Sequence, residues 1–511
     1  MIVKHFIKYP LLAFCFCFWS GSLAALQLLD HADVIEQDDA PVGGLIVKFY
    51  DQSLSGREVK ERVKGLSESL KVDLRYQRRM SGGAHVLQFN EKVPLDLAQT
   101  LSETISARPD VEYAEPNVQM QIQFVPDDPD YEEQWHYFET TGGIDLPSAW
   151  DISTGENVVV AVIDTGYRPH TDLADNILPG FDFITDVWTA NDGDGPDDDA
   201  QDPGDWVNAW DCGIFSPSPR DSSWHGTHVA GTIAALTDNG FGVSGVAFNA
   251  RILPVRVLGR CGGTLADIAD GIRWSVGLEV EVPGVPNNPN PAQVINMSLG
   301  GDGACSMTFR EAIDDALRTG ATVVVAAGNA DMDARNYQPA SCPGVIAVAA
   351  TNRTGSKAYY SNFGDVVDLA APGGETDVES YDGVLSTLNS GQQEPVGDDY
   401  EFYAGTSMAA PHVTGVAALL YSLDPSITPN EVEMILAETT REFPGRCDSC
   451  GTGILDAGAA VRGVYSGSFW RLWLSLMALG HEDGSLPATG QIARQKPLFD
   501  NYLRGRAPGR H

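Results

Sequence analysis

At 511 residues, with 43% hydrophobic and 20% charged side chains, the chain is long enough for more than one domain and apolar enough to bury a large core, which excludes a disordered or fibrous protein. Asp and Glu outnumber Lys and Arg by 70 to 33; of the net charge of −37, only −3 falls within the first 125 residues, leaving −34 for the rest. So acidic a surface argues against nucleic acid and anionic membranes as partners and favours solubility and cation binding.

Residues 1–25 carry Lys4 and Lys8, an apolar run from Leu11 to Trp19, and the small residues Ser22, Ala24 and Ala25. That is the layout of a secretory signal cleaved after Ala24 or Ala25. A retained anchor is the alternative, but the run is short of the ~20 residues a spanning helix needs, so no stable membrane insertion is expected. Cys15 and Cys17 fall inside this segment. The remaining six, Cys212, Cys261, Cys305, Cys342, Cys447 and Cys450, are expected to form disulfides outside the cell. Order along the chain favours 212 with 261, 305 with 342, and 447 with 450. The last spacing, CxxC, also suits redox chemistry or half a zinc site, but without a second CxxC a small structural loop is preferred.

Residues 26–124 read as a separate small α+β unit. Leu45 to Tyr50, His85 to Phe89 and Val111 to Pro116 have strand character, and Gly56 to Leu70 and Leu97 to Ala107 have helical periodicity. From residue 125 to 464 buried strands are expected at 158–163, 252–257, 294–297, 322–327 and 345–349. They alternate with helices at 225–236, 265–276, 307–319 and 406–423, which predicts an α/β fold: a parallel sheet flanked by helices on both faces, with the active site at the carboxyl ends of the strands.

Four segments carry chemistry. The apolar run Val158 to Ile163 stops abruptly at Asp164-Thr165-Gly166, leaving a carboxylate at a strand's end. His225 opens the small-residue helix His225-Gly-Thr-His228. Thr322 to Ala327 ends in Gly328-Asn329, whose amide suits an oxyanion. Gly405-Thr-Ser407-Met-Ala-Ala-Pro-His-Val413 sets Ser407 at the mouth of a helix, as a nucleophile needing a base and an oxyanion site. Taken singly, each has a plainer reading as a cap or turn residue; only their joint occurrence argues for catalysis. His228 and His412 read as packed, hydrogen-bonded histidines, since HGTH lacks the glutamate of the zinc-protease HExxH pattern.

Between Asp186 and Asp205 lie eight aspartates and no lysine or arginine, framed by glycine and proline. Crowded carboxylates on a turning backbone suit calcium, with Asp194, Asp197, Asp199 and Asp202 as ligands; a disordered acidic loop is the alternative. The strict EF-hand pattern is absent.

The blocks IDTG at Asp164, HGTHVAG at His225, AAGN at Asn329 and GTSMAAPHV at Ser407 together resemble the subtilisin-like serine proteases of secreted bacterial type, over roughly residues 127–460. The resemblance implies a secreted, self-processing endopeptidase with His225 as general base, Asp164 orienting it, and Asn329 with the Ser407 N–H as oxyanion donors. It further implies that Asp172, Asn239 and the carbonyls of Thr237, Phe241 and Val243 build a calcium site. The resemblance also implies that an extended substrate lies between Ser298-Leu299-Gly300 and Gly262-Gly263, ordinary turns after strands being the alternative, with Ala327 and Gly328 in the pocket before the scissile bond and its floor in the Asp331 to Cys342 loop, whose aspartates suit basic side chains. By the same resemblance residues 26–124 are an inhibitory prodomain, the partners are protein or peptide substrates and the chain's own prodomain, and the enzyme is a monomer. A catalytically silent binding protein is the runner-up. A serine esterase of α/β-hydrolase type is disfavoured because no GxSxG surrounds Ser407. For residues 465–511, with an apolar stretch at 469–479 and a basic end, no role follows.

Overall fold

The computed structural model describes residues 42–118 and 124–465. The expected signal segment and the segment after 465 lie outside the described residues. The chain divides into two compact units, the first reaching Ile122.

In the first unit, β1 (Val42–Phe49), β2 (Leu74–Arg79), β3 (His85–Val93) and β4 (Val111–Pro116) form an antiparallel sheet in the order β2-β3-β1-β4. Helices α1 (Gly56–Leu70) and α2 (Leu95–Ser106) bury Val59, Val63, Leu66, Leu101 and Ile105 with Leu45, Val47 and Phe49 of β1. Helix α1 begins where the sequence places S-x-x-E, with Ser55 and Glu58 capping each other's backbone N–H. The reading from sequence missed β2 because LRYQRR is an edge strand: only Leu74 is buried, Tyr76 is half-buried, and its arginines are exposed.

The second unit is built on a seven-stranded sheet. Its strands are β5 (Val159–Asp164), β6 (Phe181–Asp182), β7 (Arg251–Arg256), β8 (Val294–Met297), β10 (Thr322–Ala326), β12 (Ile346–Thr351) and β13 (Leu369–Pro372), in the order β13-β12-β10-β8-β5-β7-β6 with every pair parallel. Two-residue strands β9 (Gly301–Asp302) and β11 (Tyr337–Gln338) pair separately, as do β14 (Val384–Asn389) and β15 (Asp398–Tyr403).

Alternate residues of one strand serve opposite faces. Val160 and Val162 of β5 join a core with helices α3 (His225–Ala234) and α6 (Thr406–Leu423), while Ala161 and Ile163 join one with α4 (Leu265–Ser275) and α5 (Met307–Thr319). Both faces are therefore covered, which is why these strands read as unbroken apolar runs. Helices α7 (Pro429–Glu438) and α8 (Ala457–Tyr465) complete the unit. The chain runs from β5 out to β6 and β7 on one side and to β8 and beyond on the other. A crevice is expected where that order reverses, at the carboxyl ends of β5 and β8.

Candidate active site

Asp164 is the last residue of β5 and is fully buried. His225 is the first residue of α3, and its Nδ1 stands 2.8 and 3.0 Å from the two Asp164 carboxylate oxygens. A carboxylate only accepts, so Nδ1 carries the hydrogen and the neutral ring presents its lone pair at Nε2. Two backbone features permit this approach. Trp224, immediately before His225, takes a left-handed conformation at φ 47°, a strained position for a bulky residue, held by its Nε1–H bond to the Gly391 carbonyl. At Gly226 a Cβ would lie 2.1 Å from the Gly166 carbonyl oxygen, so only glycine lets α3 come this near to the turn after β5. Burial by itself lowers the imidazole pKa, but the Asp164 carboxylate, with Asp205 and Asp202, outweighs it and the net shift is upward.

Ser407 is half-buried at the second position of α6. Its Oγ donates to the Ser298 carbonyl at 3.1 Å, and the Ser298 hydroxyl in turn donates to the Ser407 carbonyl at 2.8 Å, tying the end of β8 to the start of α6. The hydroxyl bond expected to His225 is thus directed to Ser298 instead. Asn329 accepts from both the N–H and the hydroxyl of Thr406 with its Oδ1, at 2.9 and 2.8 Å, which turns Nδ2 outward as a free donor. The preceding Gly328 sits at φ 104°, where Asn362 and Tyr337 leave no room for a Cβ. Among the described residues neither Asn329 Nδ2 nor the Ser407 N–H has a hydrogen-bond acceptor. Both therefore remain free for a developing oxyanion near the positive end of an 18-residue helix.

A cleft of about 630 Å³ runs past His225 and is lined by Gly262, Gly263, Ser298, Leu299 and Gly300, the segments expected to flank a substrate. The sequence profile of the Subtilase family matches residues 155–453, spanning all four blocks.

The chain belongs to the subtilase family of serine proteases. The "Extracellular protease" of Xanthomonas campestris pv. campestris is 48% identical to this subtilase over 392 residues, covering 76% of this chain and 66% of its own length, just under two thirds. The "Extracellular basic protease" of Dichelobacter nodosus is 46% identical over 458 residues, covering 86% and 74%. A solved structure of proteases from Pseudoalteromonas arctica PAMC 21717 shares 57% identity at a TM-score of 0.65, covering 67% of this chain and 100% of its own.

Other expected positions in this subtilase need correction. Ala327 does not line the cleft: it is fully buried in a small cluster with Ala349, Val367 and Cys450, because β10 is covered on both faces. Gly328 shapes the turn that carries Asn329, and like Asn329 and Ser407 it stands outside the residues that line this cleft. The aspartates of the Asp331 to Cys342 loop are committed elsewhere, Asp331 to Lys357 at 2.7 Å and Asp333 to Arg335 at 2.7 Å. What this loop gives the cleft is Tyr337 and Gln338.

The acidic loop also differs from expectation. Among the described residues no three His, Cys, Asp or Glu side chains gather where they would hold a metal ion. Asp197, Asp199 and Asp202 each accept from a backbone N–H two residues on, at 2.9, 3.1 and 2.8 Å, and the Asp194 N–H donates to Asp192. The loop holds no basic residue, but β7 supplies one: buried Arg256 pairs with Asp182 and Asp192 and donates to the Ala190 carbonyl.

The second expected metal position fares better. Asp172 is buried, and its pKa is pushed up to about 6 by burial, with no cationic side chain in contact. It accepts from the Val243 N–H and from Asn239 Nδ2, while the Asn239 oxygen accepts from the Phe241 N–H; Asn239 braces the carboxylate in this arrangement instead of presenting its oxygen. The carbonyls of Thr237, Phe241 and Val243 accept no hydrogen bond among the described residues. A buried carboxylate beside unbonded carbonyls is a donor set suited to a hard cation.

The three disulfides form in the expected pairs: Cys212–Cys261, Cys305–Cys342 and Cys447–Cys450. His228 is buried, stacked on Tyr403 and in hydrogen-bonding reach of the Val384 and Glu401 carbonyls, with its pKa lowered to about 3 by burial. His412 bonds the Met408 carbonyl and His136, and burial lowers its pKa to about 4. Both are packing residues. Sequence reasoning missed Thr165, Asp205, Arg220, Leu258 and Tyr337 in the cleft, and Asn362, which ties Ala327, Ala330 and Met332 into the turn around Asn329.

Proposed function

We propose that this subtilase is a secreted, monomeric serine endopeptidase, made as a self-processing zymogen and stabilised by calcium. The single observation that carries the hydrolytic reading is the Asp164–His225 pair in the cleft that Ser298 also lines, with Ser298 bonded to a helix-mouth Ser407 whose N–H and the Asn329 amide are free donors.

In this reading an extended peptide pairs with the Gly262–Gly263 and Ser298–Gly300 backbone as a third strand. Ser407 Oγ turns from the Ser298 carbonyl toward His225 Nε2, gives it the proton, and attacks the scissile carbonyl carbon. The new oxyanion is held by Asn329 Nδ2 and the Ser407 N–H. The imidazolium, stabilised by Asp164, returns the proton to the leaving amine, and water repeats the sequence on the acyl-enzyme. A fluorophosphonate probe should label the matured protein at Ser407 and leave Ser407→Ala unlabelled. Absence of labelling in matured protein would favour the silent-binder reading.

Residues 1–25 serve as the signal and 26–124 as the inhibitory prodomain. Support comes from the Dichelobacter nodosus relative, whose 458-residue match extends beyond the second unit, and from both relatives' extracellular designation. No described helix is long and apolar enough to cross a membrane.

Calcium would be held by Asp172 with the carbonyls of Thr237, Phe241 and Val243, where it neutralises a buried charge. A ligand at 100 times its Kd stabilises the folded state by roughly 2.7 kcal/mol. At about 2 °C per kcal/mol for a large domain, excess chelator should lower Tm by about 5 °C. Asp172→Asn should make Tm insensitive to chelator. A parent melting curve unmoved by chelator, read by circular dichroism, would remove calcium from this reading.

A further inference from the structure

The geometry points to Asp205 as a positioning residue for the catalytic imidazole, one that fixes the backbone leading into His225 and places a second carboxylate beside the ring. The inference rests on the protease reading above. Asp205 Oδ1 accepts the Ser223 N–H at 2.6 Å and its Oδ2 accepts the Ser223 hydroxyl at 3.0 Å, while the Tyr403 hydroxyl donates to the Ser223 carbonyl at 3.0 Å. Ser223 is thus gripped on both its amide and its carbonyl sides. It precedes Trp224, whose left-handed backbone is costly for a bulky residue and persists only where its surroundings enforce it. The Asp205 grip, with the Trp224 indole bond to Gly391, supplies that enforcement, and the direction in which His225 enters the cleft depends on it.

Asp205 lines the same cleft as His225, and its carboxylate makes no bond to the ring. The charged and titratable groups facing the imidazole are Asp164 from the end of β5, Asp205 and Asp202 from the acidic loop, His228 from α3 itself, and Arg220 on the cleft wall. Asp164 already occupies Nδ1, so beyond its grip on Ser223, Asp205 acts on the ring only through its field. It is one of the groups that lift the imidazole pKa against burial. The sign follows. The working base is the neutral ring, so activity rises as pH climbs through the His225 pKa; a nearby anion holds that limb at higher pH, and removing the anion moves it lower.

Asp205→Asn separates charge from tether, because the amide oxygen still accepts from the Ser223 N–H and the amide nitrogen can donate to the hydroxyl. In the matured enzyme, the ratio of kcat/KM at pH 5.5 to that at pH 8.5 for a peptide substrate should rise about twofold or more, with KM within about twofold of the parent. Asp205→Glu restores the charge and should keep the parent profile, as should Asp211→Asn, an exposed position further along the chain and outside the cleft. Activity lost with no movement of the acidic limb would make Asp205 a brace only and overturn the inference. If Asp205→Asn does not mature, the His225 ring resonance is titrated by NMR in a Ser407→Ala background with and without the substitution. A lower midpoint supports the inference, and an equal one overturns it. A parent protein with neither turnover nor probe labelling would sink the protease reading itself; an active Asp205→Asn with the parent profile sinks only this inference.

Discussion

Ser407→Ala should all but abolish peptide hydrolysis and leave the 26–124 segment attached to the chain. The expected loss in kcat is about a millionfold, the size that removing the nucleophile has in subtilisin, a member of the same family. The physical basis is local: alanine keeps α6, its free N–H at position 407 and the Asn329 amide, but removes the one atom that bonds to the acyl carbon. The fold should survive, because the lost hydroxyl makes a single 3.1 Å bond to Ser298 at a half-buried site. Mass spectrometry of the variant secreted from a protease-deficient host reads both outcomes together. Normal removal of residues 26–124 would show that another enzyme cuts them and would end the self-processing proposal.

Asp164→Asn comes next, with an expected loss in kcat of about 10⁴-fold and little change in KM. An amide in this place can donate to the ring, which favours the tautomer with its hydrogen on Nε2, pointing at the nucleophile whose proton it should take. The imidazolium formed during attack also loses its buried counter-charge. Since burial alone depresses the His225 pKa, removing Asp164 leaves that effect less opposed, and the ring becomes a weaker base as well as a misdirected one. A variant within tenfold of the parent kcat would mean that Asp164 does not orient the base.

How much of this was legible before the fold was known varied with the kind of residue. Strands β5, β8 and β10 were readable because burial on both faces leaves no polar alternation. α6 was readable because its glycine and alanine run admits only close packing. Edge strand β2, the β14–β15 hairpin and helices α7 and α8 were not assigned: β2 and β15 carry exposed polar residues that dilute the periodic signal, β14 is buried throughout but its Ser386, Thr387 and Asn389 break the apolar run, and α7 and α8 are short. The pairing of the acidic loop was hidden for a related reason. Counting lysines and arginines within it could not reveal that Arg256, about fifty residues on, enters from β7 to pair with Asp192.

The sequence by itself determined the reaction class, because a strand-ending aspartate, a helix-opening histidine, an asparagine after a left-handed glycine and a serine at a helix mouth are short local patterns that survive without knowledge of contacts. Only the tertiary structure decided which side chains share the cleft, that Ser407 rests on Ser298, that Ala327 is fully buried, and that Asp205 grips the approach to His225. The physical reason is distance along the chain. A cap or a strand end is set by neighbours a few residues away, whereas a cleft wall or a compensated charge is set by groups tens to hundreds of residues apart, which meet only when the parallel strands fix their register.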